Sequence, residues 1–129
     1  PHGLARVEFA HPGLTELHLV DSMHERKALI EQRSDGFIAM PGGFGTLDEL
    51  FEMITWVQIG LHAKPIGLLD VDGYWQPLRA QIAHAVDEGF IPAPLAASLI
   101  YEAEPEGLLE RMLSHTPPEP VVKWHAKPQ

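Results

Sequence analysis

Apolar positions along this chain follow two alternating rhythms. Residues 16–20, Glu-Leu-His-Leu-Val, alternate as a short strand does, and Asp21 and Ser22 then offer an N-cap. Ser22-Met23-His24-Glu25 has capping-box spacing, which predicts a helix running to about Arg33. Residues 36–40, Gly-Phe-Ile-Ala-Met, form a continuous apolar run that stops at Pro41, as a buried parallel strand does. Beyond it, Leu47, Leu50, Phe51, Ile54 and Val57 fall on one face of a helix that ends near Gly60. Lys64 to Asp70, with Ile66, Leu68 and Leu69, repeats the buried-strand pattern, and Asp72-Gly73 marks a turn. Leu78, Ile82, Ala85 and Val86 predict a helix from about Trp75 to Glu88. Prolines interrupt residues 91–97, Leu99 to Glu102 has the character of an edge strand, and residues 106–115 close with a helix. From Thr116 the chain is Pro-rich, a loose or surface-docked tail with Trp124 as a candidate anchor. Residues 1–115 are therefore expected to belong to one domain and 116–129 to the tail.

Strand and helix alternate, which predicts an α/β fold: a parallel sheet with flanking helices. Ligands of such sheets bind beyond the carboxyl ends of the strands. The 129 residues suit one domain or part of one. A net charge of −9 argues against a nucleic-acid partner. The chain has no cysteine, which excludes thiolate chemistry and disulfides and fits a cytoplasmic protein. No apolar stretch approaches the length of a membrane span, and there is no signal peptide. The chain starts at Pro1 within a loop-like stretch, so an N-terminal portion is expected to be missing.

Residues 41–49, Pro-Gly-Gly-Phe-Gly-Thr-Leu-Asp-Glu, join a predicted strand to a predicted helix. Gly42, Gly43 and Gly45 lack a Cβ, so the backbone there can take positive φ and approach a ligand closely. The helix directs its free N–H groups and positive dipole end into the same loop, which suits a phosphate. Glu49 stands one helical turn from that anion site. No Lys-Ser/Thr pair follows the glycines, so this is not a Walker A loop, nor is it the Gly-x-Gly-x-x-Gly fingerprint. Thr46-Leu47-Asp48-Glu49 also has capping-box spacing, and spacing alone leaves a capping Glu49 and a catalytic one both open. Arg26-Lys27 could face the same anion or form a solvated helix face. The eight histidines show no metal-ligand spacing.

Taken together, Met23-His24-Glu25-Arg26-Lys27 and Pro41 through Glu49 resemble the LOG (Lonely Guy) family. Its members are cytokinin-activating phosphoribohydrolases, many once labelled lysine decarboxylases. Ala10 to Leu17, Thr55 to His62 and Gly67 to Tyr74 also look like family signatures, so the resemblance reaches to about residue 115. It implies a Rossmann-like sheet and hydrolysis of the N-glycosidic bond of N6-modified adenosine 5′-monophosphates, with plain AMP left open. It implies Arg26 and Glu49 as the catalytic pair. Glu8, Lys27, Gly42, Gly43, Phe44, Gly45, Thr46, Asp48 and Thr55 would then line the nucleotide and phosphate site. It implies a homodimer, and calls for no cofactor or metal. Family members begin with strands that carry a Gly-Ser-Ser loop and a second Gly-rich loop. Neither is present here, so the N-terminal strands of the family fold are expected to be missing. Two other readings stay open: a non-catalytic nucleotide or molybdenum-cofactor carrier of related fold, and a truncated inactive form. Amino-acid decarboxylation is not expected, because no pyridoxal-phosphate site is recognisable.

Overall fold

A computed structural model describes residues 11–120. The chain divides into two compact units, residues 1–34 and 35–129.

In the first unit, helix α1 spans Met23–Arg33. Ser22 is its N-cap, and the Ser22 hydroxyl accepts the Glu25 N–H at 3.1 Å. The Glu25 carboxylate reaches back to the Asp21 N–H at 2.8 Å, one residue further out than the usual capping box. Residues 16–20 alternate as expected but form no strand. A strand exists only where a neighbour completes its hydrogen bonds, and among the described residues this segment pairs with none. Its polar side chains instead meet the end of α1. Glu16 lies 3.0 Å from the His18 ring and 3.2 Å from the Arg33 guanidinium. The His18 hydrogen bond, then the Arg33 charge, hold the Glu16 carboxyl below its ordinary pKa.

The second unit carries the sheet. Strands β1 (Phe37–Ala39), β2 (Ile66–Leu69) and β3 (Ile100–Glu102) lie in the order β1-β2-β3, all parallel. Ala39 stands opposite Leu68, and Gly67 opposite Ile100. Helices α2 (Phe44–Gln58), α3 (Gln76–Asp87), α4 (Ala93–Ser98) and α5 (Pro105–Leu113) connect and follow the strands. The β2 side chains alternate between two cores, as a sheet covered on both sides requires. Ile66 and Leu68 join Leu50, Met53, Val57, Trp75, Ile82 and Leu95 on one face. Leu69 joins Ile100, Leu108 and Met112 on the other. This is the parallel α/β arrangement the periodicity predicts and the Rossmann-like sheet the family resemblance implies.

Gly67 lets α5 lie close against β2. A Cβ there would stand 2.8 Å from both Leu108 Cδ1 and Met112 Sδ. Leu108 is fully buried, so this seam has little room to relax. Gly67→Val is therefore expected to cost about 1–3 kcal/mol of folding stability, measured by urea unfolding.

Two features of this unit differ from the periodicity. The Pro-interrupted stretch contains α4, with Pro92 as its N-cap and Pro94 in the first turn. Proline is tolerated there because the first-turn N–H groups have no intrahelical acceptor. Phe51, expected on the buried face of α2, is 44% exposed, and Met53 takes its place in the core. The helix ends as expected, at Ile59, with Gly60 beyond it at φ 79°. His62 follows, and it is a structural residue. Its Nδ1 accepts the Lys64 N–H at 3.1 Å, which leaves Nε2 to donate to the Met53 carbonyl at 3.0 Å. Pro117 to Pro120 line a cavity of about 510 Å³ with Val57, Gly60 and His62, so the described part of the tail is docked on its own unit. Trp124 lies outside the described residues. No helix among the described residues is long and apolar enough to cross a membrane.

Candidate active site

The chain leaves β1 at Ala39, passes Met40, Pro41 and Gly42, and enters α2 at Phe44 with Gly43 as N-cap. The helix thus starts three residues before Leu47, and Thr46 sits inside its first turn. Thr46 is therefore not an N-cap, and the Thr46–Glu49 capping box does not form. No side chain caps this helix end. Its first intrahelical bond runs from the Leu47 N–H to the Gly43 carbonyl at 3.1 Å. The N–H groups of Gly43, Phe44, Gly45 and Thr46 have no acceptor within the helix. The first turn also holds no acidic side chain to offset the positive dipole end.

The glycines serve this start differently from the expectation. None of Gly42, Gly43 and Gly45 is left-handed; among the described residues the glycines with positive φ are Gly60, Gly73 and Gly89. What matters in the loop is space. A Cβ on Gly42 would stand 2.8 Å from the Thr46 Cβ, so Gly42 is packed against the helix start. A Cβ on Gly43 or Gly45 would meet nothing within 4 Å. Those two backbones face open space where a ligand can approach. Phe44 between them is 91% exposed.

Glu49 lies half-buried in the second turn of α2. At 100° per residue it falls on a different stripe from Asp48 and Thr55, which share an exposed stripe with Phe44 and Phe51. The Thr55 hydroxyl donates to the Phe51 carbonyl at 2.7 Å. So Gly42 to Thr46 and Glu49 gather at one end of α2, and Thr55 stands three turns along it. Arg26 and Lys27 belong to the first unit, on α1. Arg26 is half-buried and lines a cavity of about 350 Å³ with His18, Val20 and Arg33; Lys27 is buried. Glu8 lies outside the described residues.

One contact to the loop was not anticipated. The Tyr74 hydroxyl donates to the Gly42 carbonyl. The only signal for it was the Asp72-Gly73 turn, which follows β2 at the same end of the sheet.

A parallel sheet whose β1 runs into an open, glycine-lined helix start, with a carboxylate one turn on, defines a Rossmann-like α/β protein. The family model described as "Possible lysine decarboxylase" matches residues 1–112, and the chain belongs to that family, the LOG family. A relative from Oryza sativa subsp. japonica, named "Probable cytokinin riboside 5'-monophosphate phosphoribohydrolase", is 43% identical over 96% of this chain and 57% of its own. The Arabidopsis thaliana cytokinin riboside 5'-monophosphate phosphoribohydrolase is 47% identical over 92% of this chain and 54% of its own. The protein of that name from Rhodococcoides fascians is 48% identical over 83% of this chain and 54% of its own. The chain thus spans about half the length of these curated relatives.

Proposed function

We propose that the protein hydrolyses the N-glycosidic bond of N6-modified adenosine 5′-monophosphates, releasing the free base and ribose 5-phosphate. The observation that carries this reading is the α2 start: four backbone N–H groups without helical acceptors, two glycines open to solvent, and Glu49 one turn inside. The names of the family's curated relatives support the substrate class.

The 5′-phosphate sits against Gly43, Phe44, Gly45 and Thr46, where N–H donors and the helix dipole favour a dianion. Gly42 closes the loop beneath it. As the bond from C1′ to the base nitrogen lengthens, positive charge builds on the ribose ring. The Glu49 carboxylate stabilises that charge and takes a proton from the water that attacks C1′. The electron pair of the broken bond leaves with the base, which takes a proton from solvent, while Glu49 returns to solvent the proton it took from the attacking water. Arg26 is assigned to catalysis by the motif it belongs to, as a cation suited to bind ribose or phosphate bidentately. Lys27, Asp48, Thr55 and Glu8 are assigned by the same motifs to the nucleotide site.

The enzyme acts as a homodimer. The stripe formed by Phe44, Phe51 and Thr55 supports this: it is apolar in its large residues and exposed. A second copy covering that stripe would bring Asp48 and Thr55 under cover. The absence of cysteine supports a cytoplasmic location.

Phosphorus NMR of the reaction tests the proposal. The nucleotide monoester signal should give way to that of ribose 5-phosphate, with no inorganic phosphate formed. Inorganic phosphate with intact nucleoside would mean a phosphatase. Tight nucleotide binding with no change in the signal over time would mean a carrier.

A further inference from the structure

We infer that Tyr74 is a positioning residue whose hydroxyl sets the direction of the peptide unit between Gly42 and Gly43, and so aims the Gly43 N–H at the bound anion. The inference rests on the proposed phosphate site for the identity of that anion.

The argument starts from the peptide plane. In a trans peptide the carbonyl oxygen and the following N–H point in opposite directions. Fixing the Gly42 carbonyl therefore fixes the Gly43 N–H on the opposite side. That unit joins two residues without Cβ atoms, whose backbones turn more freely than those of other residues. Gly43 has no neighbour within 4 Å of its Cβ direction. Turned over, the same unit would present a carbonyl oxygen to the anion and repel it. The Tyr74 hydroxyl donates to the Gly42 carbonyl and so selects the orientation that binds.

Tyr74 can do this because it is itself held. It lies just beyond β2, as Gly42 lies just beyond β1, and these neighbouring strands pair with Ala39 opposite Leu68. The turn that presents it is built from Asp72 at φ 51° and Gly73 at φ 73°. The Tyr74 N–H bonds the Val71 carbonyl at 3.0 Å. Asp70, buried at the end of β2, accepts the Trp75 N–H at 2.7 Å and also the Gln76 side-chain amide. Trp75 is 2% exposed and anchors the turn in the core, and the Tyr74 ring packs edge-on against it at 5.1 Å. The hydroxyl is thus supported from the sheet while 49% of the residue stays exposed. Phenylalanine would keep the ring contact and lose only the donor.

The test compares the full chain with Tyr74→Phe, using inorganic phosphate and AMP as probes. Calorimetry should show phosphate affinity about five- to tenfold weaker in Tyr74→Phe, the loss of one hydrogen bond's worth of ordering, with the melting temperature unchanged. In amide NMR the Gly43 resonance should move on phosphate addition to the wild type and move far less in the variant. With AMP as substrate, KM should rise by the same factor while kcat stays within about twofold. Equal phosphate affinity in the two proteins overturns the inference, as does an affinity loss that tracks a fall in melting temperature. A wild type that binds phosphate at Gly43 but releases no base would defeat the proposed reaction and leave this inference to the affinity comparison alone.

Discussion

Glu49→Gln should lower the rate of base release by about a thousandfold or more while leaving nucleotide affinity within about tenfold. The substitution keeps the size and helical preference of the side chain and removes its charge. Glu49 is half-buried within α2 and the Thr46–Glu49 capping box is absent, so the helix does not depend on the carboxylate for its start. The start of α2 should therefore be as stable in the variant as in the wild type. Gln serves a capping box about as well as Glu does. A role confined to capping would leave the rate as it was. A charge that faces a developing oxocarbenium ion has no such substitute. Steady-state kinetics on purified wild type and variant, with a melting curve for each, separate the two.

Gly45→Ala is the second large effect, and it sets stability against function. A Cβ at Gly45 would meet nothing within 4 Å, and the residue lies in the first turn of α2 with ordinary helical φ. Alanine suits a helix better than glycine by roughly 0.5–1 kcal/mol, so the folded protein should be equally stable or slightly more so. The same methyl group projects into the open space of the proposed phosphate site. The expected result is a KM for nucleotide raised by about a hundredfold, as two or more N–H contacts lengthen. Thermal melting together with nucleotide titration checks both halves. Loss of stability would mean that Gly45 serves the fold. Unchanged affinity would move the anion away from the helix start.

Much of this fold is legible in the chain because its signals are local. The apolar runs ending at Pro41 and Asp70 become β1 and β2, and the 3.6-residue pattern around Ile82 becomes α3. What the pattern does not reveal depends on partners distant in sequence. Residues 16–20 have the alternation of a strand but lack a paired neighbour among the described residues. Phe51 matches the apolar stripe of α2, yet the core beneath is filled by Met53. Glycines and a phenylalanine hid the true start of α2, because Phe44-Gly45 carries no capping signature and Thr46 carries a misleading one. His62 looks like a loop histidine, and only its buried contacts with Met53 and Lys64 show its structural role.

The site divides in the same way. The placement of the Gly42–Thr46 loop and Glu49 together at one end of α2 was readable because strand, glycines and helix follow one another directly. Tyr74 was not, because its bond to Gly42 joins residues 32 positions apart and depends on β1 and β2 lying side by side. Arg26 and Lys27 were readable only as a motif, since an Arg-Lys pair on a helix carries no chemistry by itself.

The most direct test of the hydrolase reading is chromatographic measurement of free base after incubation with isopentenyl-AMP, for the wild type and for Glu49→Gln. The account predicts N6-isopentenyladenine released by the wild type and none above background from the variant. Base released equally by both would contradict it.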